Sequence, residues 1–204
     1  MRFAGDFETH VTVRGDAGAV AEWAAARGMK FVHIVLDRGR VPSQPMLTLG
    51  CRGEFETARA EAARVAGALR ADGFAVARVK IEAAPWNAGV PGTDDEALGP
   101  AYYFEHHVKL DLGPGADLDA LAGTVRPYSA HLSRNARRVR TDGREERFVT
   151  QRCRGVGART AGVRLNALTG ALREAGHEIA EVEREFVVFD GDESLDDGWI
   201  EEPE

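Results

Sequence analysis

The chain of 204 residues is 44% hydrophobic and 29% charged, which suits a folded protein with a sizeable core and excludes wholesale disorder. A formal net charge of -7 and a pI near 5.5 exclude a general polyanion binder, which needs a basic surface. No run approaches the ~18 apolar residues of a membrane span, MRFAGDFETH lacks the apolar stretch of an export signal, and two cysteines make no disulfide scaffold.

In chain order, residues 7–13 alternate as a half-buried strand does, and residues 17–27 read as a helix closed by Gly28. Residues 30–36 form a β-rich run before an Asp37-Arg38-Gly39 turn, and Arg38–Met46 is a proline-stiffened connector. A further strand covers 46–51. Residues 54–71 are helical, with Ala58, Ala62, Val65 and Leu69 on one stripe, and 75–83 alternate again. The Gly- and Pro-rich stretch 85–100 is a linker, in which Trp86 is expected to pack over a junction. Beyond it, strands are expected near 102–111, 131–140, 146–153 and 178–189, with helices near 117–127 and 157–174.

The second series repeats the first. Phe7-Glu8-Thr9-His10-Val11 matches Phe104-Glu105-His106-His107-Val108, Cys51-Arg52-Gly53 matches Cys153-Arg154-Gly155, and Ala68-Leu69-Arg70 matches Ala171-Leu172-Arg173. The matches are collinear, with spacings that drift slowly as loop insertions would make them. The expected fold is therefore α+β: two tandem ferredoxin-like βαββαβ repeats with antiparallel sheets and pseudo-twofold symmetry. The units are 1–84, the linker 85–100, a second repeat 101–190, and an acidic tail 191–204 expected to be poorly ordered unless Trp199 and Ile200 dock it. With three lysines among 26 basic residues and many alanines and glycines, a bacterial, cytoplasmic protein is expected.

Strand alternation separates a helix-covered face from an open one. Phe7, Thr9, Val11 and Val13 face helices, as do Phe104, His106, Val108 and Leu110. Glu8, His10 and Thr12 share the open face with Arg78, Lys80 and Glu82 in one half. Glu105, His107 and Lys109 share it with Glu181, Glu183 and Glu185 in the other. A carboxylate and an imidazole two residues apart on a strand sit about 7 Å apart, close enough to share a divalent metal. Glu8, His10, Glu105 and His107 are the candidate metal ligands, with Glu82 and Glu185 as further candidates. The arginine-rich stretch 134–154 contributes candidate anion contacts at Arg147, Thr150 and Arg152, joined by Lys80. It lacks the aromatic-rich sheet motif of RNA-recognition sheets, so nucleic acid is not an expected partner. Arg154-Gly155-Val156-Gly157, ahead of a helix, is a further, fainter anion candidate. Cys51 and Cys153 read as small packing residues rather than nucleophiles.

His10-Val11-Thr12-Val13 resembles the His-x-Thr motif of the two-histidine phosphoesterases. That resemblance implies His10 and His107 as an acid–base pair and Thr12 as an oxyanion donor, with Lys109 at the second hydroxyl position. In placement the sequence is also similar to the duplicated glyoxalase-type metalloenzymes, whose pattern falls on His10, Glu82, His107 and Glu185. The expected function is a small-ligand protein holding a divalent metal or an anionic metabolite on its open sheet faces. The alternatives are a hydrolase at the same residues, or an interaction module that forms a homodimer through those faces.

Overall fold

The computed structural model describes residues 2–136 and 143–200. The arginine-rich hairpin's tip, including Asp142, lies outside the described residues, as does the end of the tail from 201 onward. The elements run β1 (Ala4–Arg14), α1 (Ala17–Ala25), β2 (Lys30–Leu36), β3 (Ser43–Glu54), α2 (Phe55–Ala71) and β4 (Ala75–Ala83). After the connector come β5 (Tyr103–Leu112), α3 (Leu118–Val125), β6 (Ala130–Asn135), β7 (Glu145–Arg154), α4 (Ala158–Glu174) and β8 (Ile179–Asp190). The protein is α+β with an antiparallel sheet, and no described helix is long and apolar enough to cross a membrane.

The helix starts have local causes. Asp16 accepts a hydrogen bond from the Ala19 amide at 2.8 Å, and Asp117 accepts one from Ala120 at 2.9 Å, so α1 and α3 are capped in the same way. The start of α4 is satisfied from a distance. Gly157 N–H donates to Asp94 Oδ1 (2.8 Å), and Thr160 Oγ1 donates to Asp94 Oδ2 (2.9 Å). The anion at the Gly155–Gly157 loop is thus a side chain of the connector.

The connector is held down elsewhere too. The Asn87 side chain accepts from Asp6 N (3.0 Å) and donates to Asp6 O (2.6 Å), and Asn87 is buried. Trp86, by contrast, is 72% exposed, which corrects the expectation that it packs over the junction. An amide that can pair with both backbone groups of a strand is the better anchor there.

The largest departure from the sequence reading concerns the open faces. The strands form one closed barrel in the order β1-β3-β2-β6-β7-β5-β8-β4. Within each half the order is fourth, first, third, second. The halves are joined by β2 with β6 (Ile34 opposite Asn135) and by β4 with β8 (Lys80 opposite Asp190). The two seams are short, three residue pairs between β2 and β6 and four between β4 and β8, and they close the sheet on itself. The register slips at Thr12/Val13 in the first half and at the corresponding Lys109/Leu110 in the second. Such slips add the local twist that a closing sheet needs. The faces expected to be open are therefore the barrel's interior and are not available for sheet-to-sheet docking with a second chain.

The helices cover the outside of the barrel over three apolar clusters. Val11, Val13, Leu47, Val65 and Leu69 pack with α1 and α2, while Val108, Leu110, Leu132, Leu168 and Leu172 pack with α3 and α4. The third cluster, with Phe7, Ala58, Ile81, Phe104, Ala161 and Phe186, draws on both halves and spans the junction. Cys153 packs in it and Cys51 lies against it.

Candidate functional site in the barrel interior

Alternation with period two sends Glu8, His10 and Thr12 of β1 and Glu105, His107 and Lys109 of β5 into the barrel. They line a cavity of about 200 Å³ together with side chains from the other strands. Thr150 and Arg152 of β7 are there as well. Arg147 is not: it has the parity of Val149 and Gln151, the helix-covered side, and pairs with Glu145. That parity removes Arg147 from the site. His106, on the same outer side, is 2% exposed and bonded through Nδ1 to Gln151 Oε1 at 3.0 Å.

The two halves build the same local device. His10 Nδ1 lies 3.1 Å from Thr48 Oγ1, and its Nε2 lies 3.0 Å from Glu82 Oε2. His107 Nδ1 lies 2.9 Å from Thr150 Oγ1, and its Nε2 lies 3.3 Å from Glu185 Oε2. In each half the first strand supplies the imidazole, the third the hydroxyl and the fourth the carboxylate. Thr12 is buried on the cavity wall beyond His10.

Charge in this space is dense and mostly paired. Lys80 Nζ reaches Glu82 Oε1 at 2.6 Å and Glu105 Oε2 at 2.9 Å, while Arg152 Nη2 lies 3.3 Å from Glu105 Oε1. Burial would raise the Glu105 carboxyl, but the Arg152 and Lys80 charges hold it well below the usual carboxylate range. Glu82 is also held low against burial, by Lys80 and His10. Burial disfavours a charged His107, yet the Glu185 hydrogen bond and the nearby Glu105 charge outweigh it and lift its pKa to about 9. His10 is raised in the same sense, the Glu82 charge outweighing desolvation. Glu185 is raised, first by burial and then by the Glu82 charge beside it.

Among the described residues, one group of three has metal-ligating atoms all within 4.8 Å of one another: Glu82, His107 and Glu185. It brings the last strands of both halves to one imidazole. Of the four candidate metal ligands, His107 belongs to this group. Glu105 is turned to Lys80 and Arg152. His10 flanks the group through Glu82, and Glu8 lies 3.5 Å from His10 Nε2 nearer solvent. Glu82 is 1% exposed, and although Lys80 and His10 are close, neither of its oxygens receives a hydrogen bond of good geometry.

At one end of the interior stands Asp196, which sequence reasoning did not single out, beside Trp199, named there as a residue able to dock the tail. Asp196, in a 3-10 turn after β8, is buried against Arg78, Arg152 and Gln44. Trp199 is also buried, its Nε1 donating to Leu132 O at 2.8 Å. The tail through Ile200 is therefore packed into the barrel, because its acidic and aromatic side chains find guanidinium and carbonyl partners there. Gln44 belongs to β3, which begins three residues before the expected strand.

No family model matches the sequence, and no curated protein matches it. Among solved structures, the chain is similar to the small subunit of acetolactate synthase from Thermotoga maritima, with 14% identity, 88% of this chain and 92% of that chain covered, and a TM-score of 0.30. The two-histidine phosphoesterase resemblance finds no support in these comparisons, and His10 and His107 each have a neighbour at both ring nitrogens.

Proposed function

We propose that this protein binds a small ligand inside its barrel, and that the ligand is a divalent cation held by Glu82, His107 and Glu185 with His10 beside them. The observation that carries this reading is the convergence of those three side chains within 4.8 Å, from β4, β5 and β8. The donor set is one imidazole nitrogen and two carboxylates, which suits zinc or manganese. Thr150 supports it by fixing Nδ1 of His107, which leaves Nε2 for the ion. A cation that replaces the His107 proton joins Lys80 and His10 as a partner of the buried Glu82 carboxylate.

The four residues are those on which the glyoxalase-type placement falls, one His and one Glu from each half. This fits our reading of the chain as two fused ferredoxin-like repeats about a pseudo-twofold axis, supported by the matching strand orders, helix caps and register slips. The test is metal analysis of untagged protein purified without chelator, followed by zinc and manganese titration of the chelated protein. Wild type should bind close to one ion per chain, and His107→Ala and Glu185→Gln should each weaken binding by at least about tenfold. A wild type that binds neither ion, or variants that bind as well as it does, would overturn the reading.

A further inference from the structure

We propose that Arg78, Arg152 and Gln44 form an oxyanion site in the cavity wall, and that Asp196 is its built-in occupant, displaced when a small carboxylate or phosphate compound binds. Three donors from three different strands converge on the one Asp196 carboxylate. Arg78 Nη1 lies 2.8 Å and Arg152 Nη2 2.5 Å from Oδ2, and Gln44 Nε2 lies 2.9 Å from Oδ1. All four side chains are buried, and all four line the cavity that His107 and Glu185 also line. Two guanidinium groups and an amide arranged around a carboxylate are the recognition chemistry of a bound oxyanion.

The donors do not depend on Asp196 for their positions. Arg78 is also held by Asp190 through Nε at 2.7 Å and through Nη2, and Tyr103 Oη braces Asp190 at 2.8 Å. Arg152 is also held by Glu105. A departing Asp196 therefore leaves a preformed site. Because one oxyanion is exchanged for another, the two buried guanidinium groups keep an anionic partner on displacement. Such an exchange avoids the cost of baring two buried cations. The occupant comes on a short 3-10 turn held by Trp199 to Leu132 O, Arg38 Nη2 to Trp199 O at 3.4 Å, Arg40 N to Asp197 O at 2.8 Å, Arg154 to Glu193 at 2.6 Å and the buried Leu195. Displacement of Asp196 therefore has to shift that turn, which is what a Trp199 probe reads.

The proposal goes beyond the cation reading and is tested apart from it, on full-length protein with chelator present. Fluorotryptophan labelling gives one ¹⁹F signal for each of Trp23, Trp86 and Trp199, the last assigned with Trp199→Phe. Inorganic phosphate, titrated at constant ionic strength, should move the Trp199 signal of wild type saturably and leave Trp23 unmoved. Asp196→Ala, which has no internal competitor, should bind phosphate more than about tenfold tighter and should be stabilised by added acetate. If wild-type Trp199 stays unmoved at concentrations that saturate Asp196→Ala, the tail is a fixed structural plug and the proposal fails. It fails equally if Asp196→Ala binds no phosphate.

Discussion

His107 is an interior group whose charge depends on the fold. Its pKa stands at about 9 in the folded protein against 6.5 for an ordinary imidazole, because the Glu185 hydrogen bond and the Glu105 charge outweigh desolvation. The folded state therefore keeps a proton that the unfolded chain gives up first, and stability falls as the pH rises. The contribution is complete below pH 6.5 and is lost by the time the pH passes about 9. His10 acts in the same direction. Thermal unfolding of metal-free protein across that range should show the midpoint dropping with pH, and His107→Gln should flatten the slope. A midpoint that rises between pH 7 and 9 would contradict the assignment. The residue types of this site could be read in the sequence, since alternation alone puts Glu8, His10, Glu105 and His107 on one face. Which of them meet could not, because ligand distances depend on how β4 and β8 lie beside β5.

At the scale of the element, strand and helix positions follow from local pattern, and most described boundaries lie within a few residues of those expected; β6 ends at Asn135, and residues 137–140 of the strand expected over 131–140 lie outside the described residues. One exception has a tertiary cause. β3 starts at Ser43 rather than 46, since β2 pairs with it back to Ser43. The α4 start falls within one residue of the expected 157, but its cap is tertiary: it comes from Asp94, sixty-three residues earlier in the chain. Asp94→Ala removes hydrogen bonds to Gly157 N and Thr160 Oγ1 and should lower stability, moving the denaturation midpoint to lower urea. Urea denaturation measures this, and an unchanged midpoint would mean that the cap contributes nothing. Gly157 itself has no room for a side chain, since a Cβ there would sit 2.4 Å from the Thr93 carbonyl carbon.

At the scale of the whole molecule, the two halves share a barrel, a junction cluster and an interior charge network. Lys80 of the first half is paired with Glu105 of the second, and Phe7 and Ile81 share a cluster with Phe104 and Phe186. Neither half can unfold without exposing that surface and leaving buried charges unpaired. Calorimetry should therefore show one transition with equal calorimetric and van't Hoff enthalpies, and two resolved transitions would refute the coupling. The sequence by itself determined the element order, the internal repeat, the two faces of each strand and the ionisable character of one of them. These are properties of periodicity and residue type, which act over a few neighbours. Only the tertiary structure decided that the charged faces close on one another as an interior, that Glu82 and Glu185 meet at His107, and that Asp196 enters from the tail. Those depend on pairings between residues up to about a hundred or more positions apart, whose partners are chosen by barrel closure and by the need to neutralise charge once water is excluded.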